Sequence, residues 1–217
     1  METDLNSVKN VYFIGIGGIG MSALARYFKH AGKNVCGYDR TPTEITDALI
    51  KEGILVHFTD DTTQIPNEFK DKERTLVVFT PAIPKEHSEL CYFQGENFNV
   101  VKRSEVLGLI TRNTFCLAVA GTHGKTTTTS ILAHILYETG VKVSAFLGGI
   151  AENFNSNLVL SGNDYTVVEA DEFDRSFLRL SPNIACITSV DADHLDIYGD
   201  KAHFEEGFRQ FTEKIKL

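Results

Sequence analysis

The sequence predicts an α/β protein made of two consecutive units, each a mostly parallel sheet wound with helices. Three observations carry that prediction. Short apolar, β-branched runs alternate with stretches of helical periodicity along the chain. A glycine-rich turn, Gly15-Ile16-Gly17-Gly18-Ile19-Gly20, joins the first such run to the first helix. A second turn, Gly121-Thr122-His123-Gly124-Lys125-Thr126-Thr127, stands in the same position after the apolar run 115–119.

In the first unit, strands are expected at residues 11–15, 34–38, 54–58, 75–80 and 99–102. Helices fall between the early ones, at 19–30 before Gly32 and at 42–52 before Gly53. Thr41 reads as the N-cap of the second helix, with Pro42 at its first position and Glu44 completing a capping box. A short helix at 104–111 marks the boundary, giving units 1–107 and 108–217. The second unit continues with a helix at 128–139, which presents Ile131, Leu132, Ile135 and Leu136 at helical spacing. Further strands are expected at 142–146, 165–169 and 183–190.

Composition excludes several classes. A length of 217 residues is enough for a buried core, and a net charge of −8 with a pI near 5.4 argues against nucleic acid as a bulk partner. No run approaches a membrane span, and the acidic start Met1-Glu2-Thr3-Asp4 is not a secretory signal. Four cysteines, with no C-x-x-C pair, fit a reducing cytoplasm; Cys36, Cys116 and Cys186 sit in apolar runs where a buried thiol is expected.

The loop Gly15–Gly20 satisfies G-x-G-x-x-G, and Asp39 closes the second predicted strand. That combination places a pyrophosphate on a helix N-terminus and a carboxylate near ribose hydroxyls, which makes the first unit Rossmann-like. It specifies a nucleotide diphosphate without specifying the base, so a nicotinamide oxidoreductase stays open here. The second loop is a nucleoside triphosphate cradle. Gly121 and Gly124 let backbone N–H groups approach phosphates, Lys125 supplies a point charge, and the Thr126 hydroxyl suits Mg²⁺. Val119 replaces the first glycine of the usual phosphate-loop pattern. His123 either touches substrate or fills the turn. Glu169 ends a predicted strand, where a carboxylate reaches a metal held by Thr126, and Asp171, Glu172 and Asp174 follow it. His194, among Asp191, Asp193 and Asp196, suits a second divalent ion. Acids at such loop starts also serve as helix caps or solvated charges.

Taken in order, Gly15–Ser22, Gly121–Thr128, Glu169-Ala170-Asp171-Glu172-Phe173-Asp174 and Asp193-His194-Leu195-Asp196 resemble the motifs of the bacterial Mur ligases, over nearly the whole chain. The resemblance implies that Gly15, Ile16, Gly17, Gly18, Ile19, Gly20 and Asp39 hold the UDP of a sugar nucleotide rather than NAD. It adds Thr80 and Ala82, from a loop facing the pyrophosphate, and Arg103, from the bridge into the central domain. It gives ATP to Gly121 through Thr127, one Mg²⁺ to Thr126 and Glu169, and a second to Glu169 and His194, with Lys125, Glu169 and His194 catalytic. The alanine-adding branch is expected, with UDP-N-acetylmuramate, ATP and L-alanine as substrates in cytoplasmic peptidoglycan precursor synthesis. Relatives that attach a preformed peptide to the same sugar nucleotide, or a non-catalytic sugar-nucleotide module, are the alternatives. Several relatives carry a carbamylated lysine in the helix where this chain has Arg209, which fits the alanine branch. Relatives also continue into further domains, so the chain reads as an amino-terminal fragment holding the start of a phosphate-loop ATPase domain.

Overall fold

The computed structural model describes residues 4–191 and 195–216, and the side chains of Asp174, Leu195 and Asp196 lie outside the described set. Contacts divide the chain into two units, Met1–Val106 and Leu107–Leu217.

The first unit begins with β1 (Asn10–Ile14), whose five residues are all buried, as befits a central parallel strand covered on both faces. It continues through α1 (Ile19–His30), β2 (Asn34–Tyr38), α2 (Glu44–Lys51), β3 (Leu55–His57), β4 (Thr75–Phe79), α3 (Ser88–Gly95), β5 (Asn99–Lys102) and the start of α4 (Arg103–Arg112). The strands pair in the order β3-β2-β1-β4-β5, all parallel. That order reverses between β1 and β4, so the crevice at their carboxyl ends is where such a sheet takes ligands. Two expectations change. Helix α2 starts two residues later than its proline suggests, because Asp39 Oδ1 accepts from Thr41 N (3.2 Å) and draws that segment into the preceding turn. Thr43 becomes the N-cap, and its capping box closes on Thr46. Helix α3, unforeseen, starts at His87, whose ring nitrogen accepts from Leu90 N.

A buried polar cluster lies against the Tyr12–Phe69–Phe93 core of this unit. Tyr12 Oη donates to Glu89 Oε2 (2.8 Å) and lies 2.7 Å from His57 Nε2. Asp60 Oδ1 stands 3.3 Å from His87 Nδ1. Glu89 is fully buried, and burial pushes its carboxyl up to about 7 while holding His57 and His87 below the usual imidazole range. The folded carboxyl therefore binds a proton that the unfolded one releases near its ordinary 4.5, so Glu89 costs stability as pH rises from about 4.5 to 7. Glu89→Gln keeps the hydrogen bond without the charge. It is expected to stabilise the fold by up to about 3 kcal/mol at pH 8, at about 1.4 kcal/mol per pKa unit, and by much less at pH 5. Urea unfolding at the two pH values checks this, and a variant no more stable than wild type at pH 8 contradicts it.

The second unit comprises the end of α4, then β6 (Phe115–Ala120), α5 (Lys125–Glu138), β7 (Val143–Ala151), β8 (Ser156–Leu160), β9 (Tyr165–Ala170), β10 (Ile184–Ile187), α6 (Leu195–Tyr198) and α7 (Lys201–Thr212). Its sheet runs β10-β6-β9-β7-β8, parallel except for β8, which pairs antiparallel with β7. That hairpin was not expected, since its strand continues well past residue 146 across Gly148 and Gly149. Helix α5 packs Ala133, Leu132 and Leu136 on the sheet, whereas Ile131 and Ile135 face outward at 55% and 52% exposure. Cys186, expected to be buried, is exposed on β10, the edge strand; Cys36 and Cys116 are buried as anticipated. Aromatic rings of α7 close the unit, with Phe211 stacked on Phe177 at 5.1 Å and Phe204 against Tyr198 at 5.0 Å. Among the described residues, no helix is long and apolar enough to cross a membrane.

Candidate nucleotide cradles

Gly15 leaves β1 at φ +88°, a left-handed conformation that glycine adopts without strain. Its N–H and that of Ile16 both donate to the Tyr38 carbonyl, at 2.8 and 3.0 Å. Helix α1 then starts after Gly18 with no side-chain cap and no acid in its own first turn, which leaves its first amides for an anion. Asp39 Oδ2 accepts from Gly17 N at 2.7 Å, which makes Asp39 the clamp of the loop as well as a carboxylate beside it. Close approach explains three of the loop glycines. A Cβ on Gly17 would sit 2.9 Å from Asp39 Oδ2, one on Gly15 2.9 Å from Thr80 Cγ2, and one on Gly20 2.6 Å from an Arg103 guanidinium nitrogen. Thr80 and Arg103, selected from the sequence, thus stand against the same loop, at the reversal point of the sheet. Ala82 is exposed at the third position of the turn in which Ile83 N donates to Thr80 O.

The second loop leaves β6 through Gly121 (φ +127°) and enters α5 through Gly124 (φ +81°). The segment after β10 braces its outer side. Thr122 N donates to Ser189 O (3.1 Å), Thr122 Oγ1 donates to Asp191 O (2.8 Å), and His123 N donates to Ser189 Oγ (3.1 Å). Thr188 Oγ1 donates to the His123 carbonyl at 2.5 Å. Helix α5 has no side-chain cap and no acid in its first turn, so the amides from Gly124 through Thr127 form the open side of the cradle. His123 and Thr127 are exposed there.

Two carboxylates reach this loop from the end of β9. Thr126 Oγ1 donates to Glu169 Oε2 at 3.1 Å, and Gly148 N donates to Glu169 Oε1 at 2.6 Å. The irregular register of β7 against β8 lies at Gly148, where a Cβ would come within 2.3 Å of Glu169 Oε2. Burial raises the Glu169 carboxyl above its ordinary range, against the lowering effect of those two donors and of Lys125. Two hard oxygens, one hydroxyl and one carboxylate, therefore converge at the helix start, the donor set that Mg²⁺ prefers. Lys125 Nζ donates to Gly121 O (2.6 Å) and to Glu172 Oε1 (2.9 Å). The sequence leaves Glu172 among acids that also serve as caps or solvated charges; it is 1% exposed and paired with the loop lysine. The braces Thr188, Ser189 and Asp191 were also missed, because nothing in their composition distinguishes them from a strand-end turn. His194 and Asp193 lie outside the described residues.

Residues 10–114 match the Mur ligase family catalytic domain, and residues 119–217 match the Mur ligase middle domain. The chain is 64% identical over 213 residues to UDP-N-acetylmuramate–L-alanine ligase of Flavobacterium psychrophilum, covering 98% of this chain and 47% of that protein. It is 59% identical over 210 residues to the enzyme of the same name from Porphyromonas gingivalis, covering 96% and 46%. Among solved structures it is similar to UDP-N-acetylmuramate:L-alanyl-gamma-D-glutamyl-meso-diaminopimelate ligase from Neisseria meningitides. That match has a TM-score of 0.85 at 28% identity and covers 96% of this chain and 69% of that one. The UDP-N-acetylmuramate-alanine ligase of Thermotoga maritima gives a TM-score of 0.81 at 31% identity, covering 96% and 48%. The chain spans about half the length of the curated relatives it matches. With a glycine cradle in each unit and both units matching successive domains of one family, the chain belongs to the Mur ligases.

Proposed function

We propose that these residues are the amino-terminal part of an ATP-dependent ligase that joins L-alanine to the lactyl carboxylate of UDP-N-acetylmuramate in peptidoglycan precursor synthesis. The observation that carries this reading is the meeting of Lys125, Thr126 and Glu169 at one glycine turn, in a chain 64% identical to a ligase of that name. The first unit, from residue 1 to about 107, takes the UDP moiety. Its diphosphate lies at Gly15–Gly20, with Asp39 holding the loop and Thr80, Ala82 and Arg103 lining the approach. The second unit takes ATP at Gly121, Thr122, His123, Gly124, Lys125, Thr126 and Thr127.

The reaction is an activation followed by a transfer. The lactyl carboxylate attacks the γ-phosphorus, the bond to the bridging oxygen of ADP breaks, and an acyl phosphate forms. The amine of L-alanine then attacks the acyl carbon, phosphate leaves with the bonding pair, and the amine loses a proton. Both reactants of the first step are anions, so positioning and charge neutralisation are the main tasks of the protein. Lys125 offers Nζ to the terminal phosphates, and the α5 amides orient them. Mg²⁺, held by Thr126 Oγ1 and Glu169, supplies further neutralisation of the triphosphate. His194 is assigned to a second ion. The four free thiols accord with the cytoplasm, where nucleotide substrates are made.

The Neisseria structure favours one alternative acceptor, a preformed peptide, on the same sugar nucleotide. Titration calorimetry and a coupled assay on the full-length enzyme decide among these. UDP-N-acetylmuramate is expected to bind, NADH is not, and ADP is expected to form with L-alanine in preference to a tripeptide. NADH binding without sugar-nucleotide binding would sink the ligase reading, and tripeptide preference would move the enzyme to the peptide-attaching branch.

A further inference from the structure

The loop lysine already has a partner. Lys125 Nζ lies 2.9 Å from each oxygen of Glu172, and the two side chains are only 17% and 2% exposed. Glu172 is fixed from behind, since its carbonyl accepts from Tyr198 Oη at 2.7 Å. Tyr198 is itself held by Phe204 and by Gly207, where a Cβ would come 2.9 Å from the ring. Glu172 differs in this from Glu169, which Gly148 and Thr126 hold at the other side of the helix start. The backbone that carries the carboxylate is therefore anchored, whereas the lysine sits on a flexible stem held at its tip by Glu172 and by the Gly121 carbonyl at 2.6 Å.

We propose that Glu172 is a positioning residue that latches Lys125 onto a buried counter-charge, so that a polyphosphate must draw the lysine away to bind. This inference rests on the triphosphate reading of the second loop and deepens it. An ion pair in a poorly hydrated site neutralises the charge that an incoming anion would see, and breaking it leaves a buried carboxylate without its cation. Binding therefore carries the cost of unlatching, and a ligand shifts the lysine only by its preference for the released position. Glu172 thereby weakens the resting affinity of the cradle for phosphates and keeps Lys125 ordered.

The test is equilibrium binding of ATP and of inorganic tripolyphosphate, with and without Mg²⁺, to the full-length enzyme. Glu172→Gln retains an oxygen that accepts from Lys125 but removes the charge, and it is expected to tighten both ligands about tenfold. Glu172→Asp, which shortens the reach and keeps the charge, is expected to tighten them about threefold. In a Lys125→Ala background the gain from Glu172→Gln is expected to be smaller than in wild type, because the unlatching cost is gone and only direct repulsion by the unpaired carboxylate remains. A folded Glu172→Gln enzyme with unchanged or weaker affinity overturns the latch. So does a full gain in the Lys125→Ala background, which would mark simple repulsion between the carboxylate and the phosphates. If wild type itself binds neither ligand, the triphosphate reading fails and the latch fails with it. Wild-type binding without a gain in the variant removes the latch alone.

Discussion

Lys125→Ala in the full-length enzyme is expected to lower turnover roughly a thousandfold or more, with the fold intact. The lysine is the cation that the phosphate loop itself presents, and it sits at the first position of α5, where the helix amides point the same way. Losing it leaves the carboxylate of one substrate to approach the polyphosphate of the other with one fewer positive charge at the reacting centre. On the proposed reading the α5 amides and Mg²⁺ would still hold ATP, so the main loss is expected in kcat rather than in the substrate KM values. Single-turnover measurement of ADP formation checks this. Near-normal ADP release by the variant would remove the cradle assignment.

Glu169→Gln is expected to reduce kcat/KM about a hundredfold at cellular Mg²⁺ and to raise the Mg²⁺ concentration needed for half-maximal rate. Glutamine accepts from Gly148 N through its one oxygen and turns its amide nitrogen toward Thr126 Oγ1, so the side chain keeps its place while the charge and the second acceptor oxygen are removed. Gly148→Ala reaches the same carboxylate by another route. Its methyl would overlap Glu169 and push the side chain off Thr126, so the same shift in Mg²⁺ dependence is expected without any change to a ligating group. Initial rates over a Mg²⁺ series compare the two, and unaltered metal dependence in both variants would remove Glu169 from the metal site.

The alternation of strands and helices in the first unit was legible because each element carries its own local signal. Gly15, Gly32 and Gly53 each stand at a turn with positive φ, and the apolar runs match β1, β2 and β4. The Thr41 cap was misplaced because a local turn, in which the Asp39 carboxylate accepts from Thr41 N two residues on, outweighs the preference of Pro42 for a first helical turn. The β7–β8 hairpin escaped for a similar reason. Gly148 and Gly149 look like a terminator in one dimension, whereas in space Gly148 makes room for the Glu169 carboxylate. Cys186 misled because an apolar run tells that a residue is in a strand, not whether that strand is central or at an edge. At the site, the residues of the two glycine loops were readable from spacing. Glu172 was not, because a carboxylate that neutralises a lysine far along the chain has no spacing rule.

The Tyr12–His57–Glu89 cluster has one more consequence. His57 Nδ1 faces the Thr59 carbonyl at 3.0 Å, an oxygen that only accepts, so that nitrogen carries its hydrogen. With the phenol between the other imidazole nitrogen and the carboxyl, the same three protons admit two isomers. One is wholly neutral, with the acid hydrogen-bonded to the phenol oxygen and the phenol to the imidazole. The other is a zwitterion, imidazolium and carboxylate, reached when two hydrogens hop in concert through the tyrosine. The interior of the first unit can thus separate or recombine a pair of charges without trading a hydrogen ion with the solvent.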